Sequence, residues 1–170
     1  MEAITHFFSG IFVMAILQHF IPTTWLVLVL LVPLGILLHF FIDAIVFITF
    51  HTRTPRLNDK IWVAWHGVII IGSVLVAIYF TFFMPYLWAL IVSNIPDLYD
   101  WVIMRTAFAI KKRKLSTNPD LLPHYFMHYW IGRLRAKCFS RLPDWTEKHR
   151  GIITELVIWT VCFIVWIAVA

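Results

Sequence analysis

Residues 25–50 read WLVLVLLVPLGILLHFFIDAIVFITF, a run with no lysine or arginine and a single carboxylate, Asp43. At about 1.5 Å of rise per residue, a helix of this length exceeds the roughly 20 residues needed to cross the hydrocarbon core of a bilayer. Taken as a membrane span, the run decides the fold, because it makes lipid one of the solvents. It also poses a chemical problem. His39 and Asp43 stand inside it at i and i+4, on one helix face, where an ionisable side chain is costly and needs compensation.

Composition extends this reading to the whole chain. Of 170 residues, 61% are hydrophobic, 17% aromatic and 14% charged, with a mean hydropathy of +0.84, which leaves too little polar surface to wrap a water-soluble core. The pattern predicts an all-α polytopic helical bundle, one integral membrane domain over residues 1–170. Five spans are expected at about 4–21, 25–50, 61–84, 86–109 and 145–169. Cys138 and Cys162 lie far apart and outside any CxxC or CxxH spacing, so they point neither to a disulfide framework nor to a thiolate metal site. The start MEAITHFF lacks a basic segment and a small-residue cleavage site, and is read as a permanent first helix.

Lysine and arginine set the expected orientation. Arg53, Arg56 and Lys60 fall between the second and third spans, and the remaining basic residues run from Arg105 to Arg150, whereas the turns at 22–24 and around Pro85 carry none. Cytoplasmic loops collect these residues, so the N-terminus is expected in the cytoplasm and the C-terminus on the opposite side. The segment at about 118–141 opens at Asn118-Pro119 and sets Phe126, Trp130, Leu134 and Cys138 at a spacing of four, with Arg133, Arg135 and Lys137 between them. That is the pattern of an amphipathic helix lying on the cytoplasmic face among anionic lipid headgroups. Topology then accounts for the net charge of +5 without nucleic acid as a partner. Asp144 and Glu147 carry the spacing of a capping box for the last span.

With this topology, histidines and carboxylates gather at one depth. His6, His39, Asp43, His66, Asp97, Asp100, His149, Arg150 and Glu155 all fall in or near the cytoplasmic half, on five different spans, with His51 at the mouth and His19 on the far side. Pro96 removes a helix hydrogen bond beside Asp97. Desolvated carboxylates at one level repel unless arginine, water or a cation compensates them, and a divalent metal does so most directly through imidazole nitrogen and carboxylate oxygen.

Thr5-His6, Leu38-His39 with Phe41 and Asp43, Pro96-Asp97, and His149-Arg150-Gly151 followed by Thr154 resemble the short motifs of the membrane-bound metal-dependent hydrolases of the YdjM type. The resemblance implies that His6, His39, Asp43, Asp97 and His149 hold metal. The motif order is altered, since LLHFFIDAIVF precedes both NIPD and HRG. Two residues rather than one separate Asp97 from Asp100, and Glu155 stands where the family has a second histidine.

The expected function is a membrane hydrolase acting on a phosphoester or lipid-linked substrate from the cytoplasmic leaflet. Some of His6, His39, Asp43, His66, Asp97 and His149 would hold zinc, manganese or iron, Asp100 or Glu155 would act as general base, and Arg150 would steady an anionic group. Two other readings compete. One is a haem-binding anchor, with His39 and His66 as axial ligands. The other is a non-catalytic accessory subunit packed against other membrane subunits.

Overall fold

A computed structural model describes residues 3–52, 56–84, 86–110 and 126–169, residues 108–110 by their backbone alone. Four helices have the length and apolarity to cross a membrane, as expected of an integral membrane protein: α1 (Ala3–Phe20), α2 (Thr24–Ala44), α3 (Lys60–Phe82) and the last helix, Gly151–Val169. Between α3 and that last helix run the short segments α4 (Leu87–Ser93), α5 (Ile95–Asp97), a π-helix (Leu98–Met104), α6 (Arg105–Ile110) and α7 (Phe126–Cys138), so the last helix is α8. A single 3₁₀ turn, Val46–Ile48, follows α2.

The fourth span expected from the sequence, 86–109, is thus not one helix but a chain of short ones. Pro96 has no N–H to offer the carbonyl four residues back, and the helix breaks at Asn94, whose side-chain amide covers the Leu90 carbonyl at 2.9 Å. Beyond the break the coil widens into the π-helix. The last span also begins later than expected. Asp144 Oδ1 accepts from the Thr146 amide and hydroxyl inside a turn, and Glu147 pairs with Arg56, so neither caps α8, which opens at Gly151. The first part of the expected amphipathic segment, 118–125, lies outside the described residues, as does Arg53.

α1 is the middle of the bundle, with α2, α3, α4 and α8 packed around it. Its apolar core residues Ile11, Met14 and Leu17 meet Val27 and Leu31 of α2, Ala89 and Leu90 of α4, and Phe80 of α3. Close approach depends on Gly10. A Cβ there would stand 2.8 Å from the Ser93 Cβ and overlap the Ala89 carbonyl oxygen, so only glycine lets the backbones of α1 and α4 touch. Gly10 is one turn from His6 on the same face of α1, and the contact therefore turns His6 toward the broken helix. On the outside, α3 and α8 expose Ile70, Ile71, Phe82, Ile153, Ile164 and Ile167, a surface suited to lipid rather than water.

Candidate metal centre

The break at Asn94 has a chemical consequence. It turns the Ser93 carbonyl toward α2, where it accepts a hydrogen bond from His39 Nδ1 at 2.7 Å. A carbonyl can only accept, so a proton sits on Nδ1, and Nε2 is the nitrogen turned to whatever lies ahead. Ahead lie two carboxylates. His39 Nε2 stands 3.2 Å from Asp43 Oδ2 and 3.9 Å from Asp97 Oδ1.

Two further histidines arrive from other elements. His6 of α1 stacks on the His39 ring, centroids 4.0 Å apart, and its Nε2 is 3.2 Å from Asp43 Oδ1 and 3.7 Å from Asp97 Oδ2. His128 of α7 places Nε2 3.2 Å from Asp97 Oδ1 and 3.5 Å from Asp43 Oδ2. Behind it, Asp100 Oδ2 accepts from both the His128 backbone amide and Nδ1, each at 2.8 Å. Burial works against a charge on His128, but hydrogen bonds to Asp100, Asp43 and Asp97 outweigh it and push the imidazole up to about 11. The carboxylates call for a cation at this point, whether a proton or a metal.

His39, Asp43, Asp97 and His128 can hold a metal ion, their ligand atoms all lying within 4.8 Å of one another. Two details of the donor set fit that role. Nε2 of both His6 and His39 is buried without a hydrogen bond, although a carboxylate oxygen stands only 3.2 Å from each. Atoms at this separation that do not point at each other can point at a common third. With bonds of about 2.0–2.2 Å, ligand atoms on the edges of a tetrahedron stand about 3.3–3.6 Å apart, and the nitrogen–oxygen distances here, 3.2–3.9 Å, bracket that range. The second detail is the support of two of the three rings by an acceptor on the far nitrogen, Ser93 carbonyl for His39 and Asp100 carboxylate for His128, the arrangement that fixes tautomer and aim in metal-binding histidines.

Of the residues expected from the sequence, the structure brings together His6, His39, Asp43 and Asp97. Asp100 stands one shell out, against His128. The others are engaged elsewhere. His66 Nδ1 bonds the Trp62 carbonyl of its own helix at 2.8 Å, and the ring stacks on Trp62. His149 Nε2 meets Asp59 Oδ2 at 2.8 Å, Arg150 lies over the Trp145 ring, and a Cβ on Gly151 would overlap the Phe50 amide nitrogen. The HRG stretch is therefore a corner that fastens α8 to the chain after α2. Glu155 is buried between α8 and α1, where it accepts from the Thr5 hydroxyl at 2.7 Å.

His128 is the residue sequence reasoning passed over. It is two positions from both Phe126 and Trp130, hence on the side of α7 opposite their aromatic stripe, which is exposed. The overlooked signal was the second face, His128, Ile131 and Arg135 at i, i+3 and i+7, with Ile131 buried.

The fold and this cluster together describe a helical bundle of membrane type with a His/Asp centre able to take a metal. No protein-family profile, curated protein or solved structure matches the chain.

Proposed function

We propose that the chain is a membrane-embedded, metal-dependent hydrolase of a phosphoester or lipid-linked substrate. The observation that carries the reading is the convergence of three imidazole Nε2 atoms on the Asp43 and Asp97 carboxylates at 3.2–3.9 Å, with Nε2 of His6 and His39 buried and without a hydrogen bond. Two carboxylates and neutral imidazoles balance one divalent ion and are ordinary ligands for zinc, with manganese or iron as the alternatives. The motif resemblance at His6, His39, Asp43 and Asp97 supports the same class.

A divalent metal there would supply Lewis acidity and lower the pKa of a bound water. The chain's own residues divide the remaining work. Asp97 is the open carboxylate, its side chain 28% exposed against 5% for Asp43, and it is the group that can take a proton from an entering water. Asp43 anchors the set from the buried side. Asp100 holds the His128 ring in line, a positioning role in place of the general base expected from sequence. Glu155, hydrogen-bonded to Thr5, and Arg150, stacked on Trp145, stand outside this division.

The distribution of lysine and arginine supports a cytoplasmic N-terminus and, with the broken helix counted as a crossing, a C-terminus on the other side. The centre would then open toward the anionic leaflet on which α7 lies. The test is the metal content of detergent-purified protein by elemental mass spectrometry, wild type beside Asp43→Ala and Asp97→Ala. Near-stoichiometric zinc, manganese or iron that both variants lose is the expected result. A folded wild-type protein without metal returns the chain to the accessory-subunit reading.

A further inference from the structure

A cavity of about 520 Å³ opens where α7 meets the 3₁₀ turn after α2. One side of it is basic. Arg135 stands two turns after His128 on the inner face of α7, its guanidinium 5.3 Å above the Phe47 ring, with one Nη donating 3.4 Å to the backbone carbonyl of Asp43. Its Nε is buried and has no hydrogen-bond partner. Arg133 borders the same cavity, bracing an Nη against the Tyr129 hydroxyl at 3.2 Å. The wall carries one acid, Asp144, against the two guanidiniums, so the local charge is net positive. The other side is apolar, formed by Phe47, Phe139 and Leu142.

Guanidiniums that border one cavity suit phosphate oxygens, which accept several N–H donors at once. An apolar wall beside them suits carbon attached to that phosphate. We infer that this cavity binds the phosphate headgroup of an anionic amphiphile, with Arg133 and Arg135 on the phosphate and Phe47, Phe139 and Leu142 on the adjoining hydrocarbon. Arg135 also donates to the backbone carbonyl of Asp43, so a single side chain touches both this cavity and a residue of the His/Asp centre. The inference deepens the hydrolase reading and rests on it for the fate of the lipid, though not for its binding.

The test compares two ligands of equal chain length on the full-length protein in detergent, dioctanoyl phosphatidic acid and dioctanoylglycerol, with inorganic phosphate as a third probe and metal content read on the same samples. Wild type is expected to bind the phosphatidic acid about tenfold or more tightly than the neutral lipid, the advantage that charged hydrogen bonds confer. Arg133→Gln, at an exposed position where folding is not at stake, is expected to shrink that preference, and Arg133→Gln with Arg135→Gln to abolish it. Leu142→Ala should weaken the amphiphile and leave inorganic phosphate unchanged. Equal affinity of wild type for the two lipids overturns the inference without recourse to any variant. Inorganic phosphate bound as tightly as phosphatidic acid overturns it in favour of a soluble phosphate ligand. A preference that survives in protein devoid of metal keeps the cavity and sinks the hydrolase reading, and metal without the preference does the reverse.

Discussion

Asp43 and Glu155 are two carboxylates buried in the same bundle, 4% and 0% exposed, and they are compensated in different ways. Asp43 faces imidazole nitrogens delivered by α1, α2 and α7. Glu155 accepts from the Thr5 hydroxyl, whose oxygen in turn receives the Trp159 indole N–H at 2.8 Å. Hydroxyl and indole are hydrogen-bond donors with no taste for metal, whereas imidazole is a ligand. Thr5 and His6 are consecutive on α1, yet turned about 100° apart by the helix they serve opposite centres. A buried acid in a span is therefore not a functional sign by itself. The chemistry of the groups turned toward it decides.

The sharpest way to break this contrast is to remove Asp43 itself on one side, the hydroxyl donor of Glu155 on the other, and count metal. Asp43→Ala is expected to lose essentially all bound metal, while Thr5→Val keeps wild-type stoichiometry; elemental analysis that finds both variants metal-free, or both loaded, would erase the distinction. Asp100→Asn sharpens it further. With the carboxylate behind His128 neutralised, metal affinity should fall about 10–100-fold, measured by titration against a competing chelator, and an unchanged constant would detach Asp100 from the centre.

Packing comes next in size. Gly10→Val pushes α1 off Ala89 and Ser93, and overfilling of this kind costs about 1–3 kcal/mol, to be read from denaturant unfolding in detergent, with metal weakened because His6 moves. On the other side of α1, Thr5→Val leaves Glu155 without its hydroxyl donor and should cost about 1–3 kcal/mol while sparing the metal, so that stability and metal content come apart.

The smallest effect belongs to the surface clasp of Asp59 and His149. The imidazole of His149, together with the Trp62 and Ile61 amides, holds the Asp59 carboxyl below the ordinary carboxylate range. A depressed carboxylate contributes stability that is present above its unfolded value, about 3.9, and is lost as pH falls through the lower folded one. Melting temperature followed from pH 6 to below pH 4, in wild type and His149→Ala, should show a slightly steeper acid slope in the wild type.

Much of this was legible in the chain. His39 and Asp43, four residues apart, could only share a face of α2, and Pro96 announced a disturbance beside Asp97. What sequence depth cannot supply is direction around the helix axis. His66 and His149 stand among the predicted ligands in depth, but one turns back to a carbonyl of its own helix and the other closes the N-cap acid of α3, Asp59. His128 was hidden for the converse reason. Its helix lies outside the spans, and the aromatic stripe at Phe126 and Trp130 drew attention to the wrong face. The extent of the break after Ser93 was likewise beyond a single proline, because the π-helical stretch has no residue signature of its own.

That stretch, Leu98–Met104, gives the protein an uneven tolerance to changes in chain length. A π-turn closes five residues back where an α-turn closes four, so it stores one residue that an α-helix has no room for. Deleting a residue between Asp97 and Asp100 would let the coil tighten to α and pass almost unnoticed by the bundle. The two acids, however, would then be two positions apart and on opposite sides of the helix, and the second would no longer reach the histidine it steadies. The fold can absorb a shortened segment here, and the centre cannot.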